Sequence, residues 1–344
     1  MRAAAKTVFV AITLASAGLG ANVKPRVSLE LVTRPGLPLT ASRQWFKVLT
    51  DLGISGLQIR TAGARDEVAI TEHGDKANRQ YKVVGILAAD NVLYLPGGKF
   101  GLNDTGRLRK WLEDLGDLGA AGVTEKRSAF GLIARQLEQV HADLKKPVGV
   151  STKGVSAATA IGQVAGRLDF AVVIDDAARR ELAGVRVAED LSGISSGTAL
   201  AIMLRPAGLV LEPVRPSGGE LHYRVDKAQA GHQAWPVGWK PEANAAKVLP
   251  ELFEFLNVEI KDIPVSEALE AIEGRLKIPF FYDHNALALH GLDPTQVQAD
   301  VPSKRLTYTQ ILNKVLMQAK LRYELRLDEA DKPFLWITSV KPAP

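Results

Sequence analysis

The chain of 344 residues contains no cysteine. That excludes disulfides, thiol catalysis, iron–sulfur clusters and cysteine-ligated zinc. It also lacks any run of apolar residues long enough to read as a transmembrane helix. Long basic runs are missing too. The 43 Lys+Arg face 38 Asp+Glu, and the net charge of +5 is spread among alternating signs. Such a pattern does not read as a nucleic-acid stripe. What is present is an ordinary globular balance, 46% apolar and 24% charged, which excludes a mostly disordered chain. At about 100–200 residues per domain, the length predicts two or three domains.

The first residues predict export. Arg2 and Lys6 form a short positive region, Thr7 to Leu14 is apolar, and Ala15-Ser16-Ala17 supplies small residues for cleavage. This is the layout of a secretory signal peptide over residues 1–17, with an apolar stretch too short to span a bilayer. With no cysteine after it, a lipoprotein is not expected. Losing Arg2 and Lys6 lowers the charge to +3. The mature chain is expected in the periplasm or outside the cell, in solution, with no stable membrane insertion. Without disulfides, each domain must hold through its own core.

An internal repeat organises the rest. Gly274-Arg275-Leu276, running to Asp283, matches Gly166-Arg167-Leu168, running to Asp175, with apolar positions agreeing between them. Upstream, Val265-Ser266 matches Val155-Ser156. Downstream, Leu306 to Leu312 parallels Ile194 to Leu200, and Ala319-Lys320-Leu321 parallels Ala207-Gly208-Leu209. The offsets stay between 108 and 112 residues.

Each copy predicts the same local structure. Residues 256–262 alternate as a half-buried strand. Ser266 opens a helix carrying Leu269, Ile272 and Leu276. Phe280 to Tyr282 is a buried strand. Thr307 or Thr309 caps a second helix through Ile311, Leu312, Val315 and Leu316. Leu321 to Leu327 alternates as a strand, and Phe334 to Ile337 is the last. The expected fold class is α+β: tandem β-α-β-β-α-β modules with mixed sheets over 147–226 and 256–340.

The pattern resembles the short N-terminal domain of secretins and TonB-dependent receptors, the secretin N0-like or STN module. The resemblance rests on Pro264-Val265-Ser266-Glu267-Ala268-Leu269 at the helix start. It rests also on Ile311 to Leu316 followed by Ala319-Lys320-Leu321-Arg322-Tyr323. Lys320 stands where that family has glycine, which the earlier copy keeps at Gly208. The earlier copy has Gly154 where the family has proline. About half of the chain is covered, mostly by core and capping residues. The resemblance implies an envelope protein that makes protein–protein contacts. No secretin channel or TonB-dependent barrel follows the modules, so channel function is not expected.

Residues 25–119 predict a further α+β domain. Ser28 to Val32 is a strand, Thr40 caps a helix through Trp45, Phe46, Leu49 and Leu52, and Leu57 to Arg60 is a second strand. Residues 81–88 and 92–95 form a hairpin. Asp104 starts a helix through Leu108, Trp111 and Leu115. Ser128 caps another through Phe130, Ile133, Leu137 and Val140, within a helical connector over 120–146. Gly116 to Arg127 reads as a connector. A Pro/Trp-rich linker, 227–255, joins the two modules.

Catalytic signals are weak. Gly193-Ile194-Ser195-Ser196-Gly197 fits the G-x-S-x-G elbow, but no buried strand precedes it. Thr307 holds the equivalent place in the later copy, so Ser195 reads first as a helix cap. Gly97-Gly98-Lys99 lacks the spacing of a phosphate loop and reads as a turn. The histidines, His73, His141, His222, His232, His284 and His290, show no metal-ligand spacing. Asp175-Asp176 and Asp283 follow buried strands at helix starts, where capping explains them more simply than acid–base work.

Trp235-Pro236-Val237-Gly238-Trp239 remains. Its rings can pack on a neighbouring domain to fix the linker, or stack on a sugar or partner, which makes Trp235, Pro236 and Trp239 a candidate binding surface. The expected protein is a non-enzymatic adaptor or scaffold without cofactor or metal, pairing with another envelope protein or with itself. The first alternative is a glycan- or cell-wall-binding protein using Trp235 and Trp239; the second is a serine hydrolase using Ser195.

Overall fold

Strands and helices form because apolar periodicity alternates between two and about 3.6 residues along the chain. The computed structural model describes residues 26–54, 56–63, 66–74, 79–216, 219–229 and 233–341. The expected signal peptide, Met1 to Ala17, and His232 lie outside them. The chain is α+β and divides into two units, Met1–Glu125 and Lys126–Pro344.

The first unit holds β1 (Arg26–Thr33), α1 (Leu39–Asp51), β2 (Gly56–Thr61), β3 (Ala69–His73), β4 (Gln80–Leu87), β5 (Leu93–Leu95), β6 (Gly98–Phe100), α2 (Thr105–Leu118) and α3 (Ala120–Thr124). β1 lies between β2 and β4 and is parallel to both, while β3 and β5 pair antiparallel with β4. Leu29, Leu31, Tyr81, Val83 and Leu87 alternate onto one face, where Trp45, Leu49, Leu108 and Leu115 cover them. The residues between them carry charge: Glu30 pairs with Arg60 and Lys82. Arg60 also grips Asp66 and holds its carboxyl down at about 2. The hairpin turns at Asn91, and α2 starts after Asp104, as the sequence predicts. Thr40 does not cap α1. Pro38 takes that place, since its fixed φ suits the entry of a helix. Within the Gly116 to Arg127 connector, α2 continues to Leu118 and α3 follows.

The second unit starts with a 3₁₀ turn, Ala129–Gly131, then α4 (Ala134–Leu144), α5 (Ala157–Ala165), β7 (Val172–Ile174), α6 (Asp176–Leu182), α7 (Ser196–Leu204), a 3₁₀ turn at Arg205–Ala207, β8 (Leu209–Val214) and β9 (His222–Lys227). Then come α8 (Ala245–Val248), a 3₁₀ turn at Pro250–Phe253, β10 (Phe255–Pro264), α9 (Val265–Leu276), β11 (Phe280–Tyr282), α10 (His284–Leu289), β12 (Gln298–Thr307), α11 (Tyr308–Gln318), β13 (Leu321–Leu327) and β14 (Pro333–Ser339).

Ser128 does not cap a long helix. Its hydroxyl donates to the Leu132 carbonyl, Phe130 turns to a φ of 61°, and the helix begins only at Ala134. Residues 120–146 are therefore shared. α3 packs on α2 in the first unit, and α4 buries Val140 and Leu144 in the second.

The two copies of the repeat build the same sheet. One has the order β7-β9-β8 and the other β11-β14-β13, each with one parallel and one antiparallel pairing. Asp175 and Asp283 cap the short helices after the first strand by accepting from Ala178 and Ala286 N–H. Thr307 caps α11 in a capping box with Gln310. At α9, Pro264 rather than Ser266 stands at the cap.

The copies differ in their opening strand. In the later one β10 pairs antiparallel with β12. In the earlier one only isolated bridges survive, Pro147 to Ser195 and Ser156 to Arg186. The cause is local. Pro147 has no N–H to give, and Gly149 and Gly154 turn to positive φ. Between the bridges, Thr152 adds side-chain bonds to the scattered backbone ones, accepting from Leu191 N–H and donating to the Glu189 carbonyl.

Strand alternation also fuses the copies. Leu335 and Ile337 of β14, with Phe280 of β11, enter the core of the later copy. Phe334, Trp336 and Phe281 point the other way, into the core of the earlier copy. One sheet thus serves both cores, which is why Phe334 to Ile337 is apolar throughout.

Candidate functional site

The candidate site is the junction between the two copies, where the Trp strap lies. Trp235 N–H donates to Leu211 O at 2.7 Å, tying the strap to β8. Four residues later Trp239 exchanges two 2.8 Å hydrogen bonds with Leu327, tying it to β13. Gly238 makes this crossing possible. Its φ is 64°, and a Cβ there would sit 2.6 Å from the Phe334 ring.

Trp235 is 3% exposed, while Pro236 and Trp239 are half-buried. The rings meet edge to face at 5.3 Å, and His141 of α4 packs on both. Burial lowers the His141 pKa, keeping the imidazole neutral. These contacts place the Trp235 ring inside the protein.

Two carboxylates from the β13–β14 turn reach into the other copy. Glu329, 8% exposed, accepts from Trp235 Nε1 at 2.6 Å and from Thr198 Oγ1 at 2.9 Å. Gly197 leaves room for it, since a Cβ there would stand 2.1 Å from Glu329 Oε1. Burial pushes the Glu329 carboxyl up to about 7, against the pull of these donors. Beside it, Asp328 Oδ2 accepts from the backbone N–H and the hydroxyl of Ser195. Asp328 Oδ1 accepts from Ala330 and Lys332 N–H, which holds the turn. The start of α7 is therefore met by an acid from the other copy, where its dipole favours negative charge.

Ser195 stands at the head of α7, as the sequence predicts, but its hydroxyl makes no capping bond. It is 1% exposed and is spent on Asp328. Among the described residues no imidazole hydrogen-bonds to it, and its hydroxyl donates to a buried carboxylate. Pro96 and Gly97 form the tight turn between β5 and β6, and Gly98 opens β6. Among the described residues no group of three or more His, Cys, Asp or Glu could hold a metal ion. No described helix is long and apolar enough to cross a membrane.

Further pairs close the junction. Arg205, just past α7, forms a bidentate pair with Asp283 at 2.8 and 2.9 Å. Asp283 is 3% exposed and also accepts from Thr338 Oγ1. Burial opposes its charge, but Arg205 outweighs this and keeps the carboxyl below its usual range. His284 Nε2 meets Glu189 at 2.6 Å, and that contact raises the His284 pKa. Sequence reasoning missed Glu329, Asp328, Arg205 and Glu189. Their partners lie 78 to 133 residues away, beyond any local spacing rule.

Comparison with protein-family models gives no match, and comparison with curated proteins and with solved structures gives no significant match.

Proposed function

We propose that the protein is an exported, non-enzymatic adaptor or scaffold of the cell envelope, built from two N0-like modules. What supports the module reading is the quoted sequence resemblance together with one sheet order used twice. The observation that carries the adaptor reading is the β10–β12 ribbon. Its strands pair only with each other among the described strands, so each has an outer edge able to accept another strand.

The ribbon narrows where docking occurs. Register shifts interrupt it between Val258 and Ile263, and bulges blunt an edge. Pro302 removes a donor from β12 in the same stretch. The other end is regular from Phe255–Thr307 to Val258–Lys304. There Phe255 is 60% exposed, with the Arg305 guanidinium 5.4 Å from its ring centre. An apolar anchor beside the exposed cations Lys304 and Arg305 suits an extended, acidic segment of another envelope protein.

Crosslinking in intact cells, read by mass spectrometry, tests this. A reproducible envelope partner is expected, and Phe255→Asp should reduce its yield about tenfold or more while thermal unfolding stays unchanged. Equal crosslinking by the variant would sink the reading. So would co-sedimentation with cell-wall polysaccharide and no protein partner.

A further inference from the structure

A small recess in the later module gathers positive charge from separate parts of the chain. His290 closes α10, Lys320 sits in the turn before β13, Ser339 ends β14 and Lys341 lies two residues beyond it. With Leu292 they line a recess of about 100 Å³. The backbone fixes these pieces against one another. His290 N–H donates to Ala286 O, Leu292 N–H to Leu287 O, and Val340 N–H to Lys320 O.

Two details set the recess apart. His290 Nε2 is buried and finds no hydrogen-bond partner among the described residues. A buried ring nitrogen left so is rare in folded proteins and calls for a ligand or ion to explain it. Lys320 has a φ of 58°, the left-handed region, where its counterpart in the earlier module is Gly208 with a φ of 67°. Glycine holds that conformation freely and a lysine does not, so backbone strain is retained at a residue that adds charge here. Among the described residues no carboxylate lines the recess, and neither Lys320 nor Lys341 forms an ion pair.

We infer that this recess binds a tetrahedral oxyanion of the phosphate class. Lys320 and Lys341 supply charge and His290 supplies a hydrogen bond, while the Ser339 hydroxyl donates to the Lys341 carbonyl and holds that backbone at the recess. Lysine acts at such sites as a point charge, and the imidazole adds direction. The volume admits one phosphate group. The group can be free inorganic phosphate or a phosphomonoester on a larger molecule.

Isothermal titration at constant ionic strength, with inorganic phosphate and separately with glycerol 3-phosphate, tests the inference. Saturable one-site binding of phosphate is expected. Binding of glycerol 3-phosphate as well would assign the site to phosphomonoesters; phosphate alone would assign it to the free ion. Lys320→Gly is the decisive variant, because it restores the residue of the sister module. It should melt at the wild-type temperature or above, yet weaken phosphate binding about tenfold or more. Lys341→Gln should weaken it in the same direction. No binding of either compound, or equal binding by wild type and Lys320→Gly, overturns the inference.

Discussion

Glu329→Gln will stabilise the protein by about 3 kcal/mol near pH 8, and by less than about 1 kcal/mol near pH 5. The sign follows from the two states. Glu329 titrates near 4.5 when unfolded and at about 7 in the folded protein. Between those values the folded state holds a proton that the unfolded state has released. Stability from this group is therefore complete below the unfolded value and is lost as pH rises through 7. Glutamine mimics the protonated acid. Its carbonyl can accept from Trp235 Nε1, and its amide can donate to Thr198 Oγ1.

The other ionisable groups near Glu329 are unchanged by the substitution. They are Asp328 beside it, His141 over Trp235, and Tyr223, whose hydroxyl donates to Asp143. His141 acts with the opposite sign, since its lowered pKa favours the folded state more as pH rises toward 6.5. The difference between wild type and variant, from urea unfolding at several pH values, isolates Glu329. Parallel curves would mean that burial does not hold Glu329 protonated.

Arg205→Ala is the second large effect. It leaves the Asp283 carboxylate 3% exposed and without its bidentate partner. Stranding a buried charge costs about 3–5 kcal/mol. Arg205 is 42% exposed, so solvent already screens part of the pair, and about 2–3 kcal/mol is expected. The Asp283 pKa is lowered in the folded protein, so the pair stabilises above the unfolded value, and that stability is lost as pH falls through the folded one. The variant's penalty should therefore shrink in acid, as Asp283 takes up a proton. Adding Asp283→Asn should recover part of the loss at neutral pH. A neutral-pH penalty below about 0.5 kcal/mol in chemical unfolding would show that water replaces the guanidinium. Arg205 and Glu329 are both contacts between the two copies, so both variants report on the junction rather than on either module's own core.

Much of the architecture was legible because it is local. Strands at Leu57, Phe280 and Phe334 follow from alternation and burial, and α2 and α11 follow from apolar spacing with Asp104 and Thr307 at their heads. Capping residues were less legible. Thr40, Ser128 and Ser266 are good capping types by composition, yet proline or a turn took the position at each. Propensity names the residue types that can end a helix, and the path of the entering chain decides which residue does.

The sequence by itself determined the repeat, the α+β class, the exclusion of cysteine chemistry, and the apolar character of the strap and of β14. Each of these is a property of composition or of spacing within a few residues. Only the tertiary structure decided what the polar residues do. It put Ser195 on Asp328, Glu329 under Trp235, Arg205 on Asp283, and Lys320 beside His290 and Lys341. The physical reason is reach. A helix or strand is set by neighbours in sequence, whereas a buried charge or hydroxyl must find whatever partner the packed chain brings within hydrogen-bonding distance.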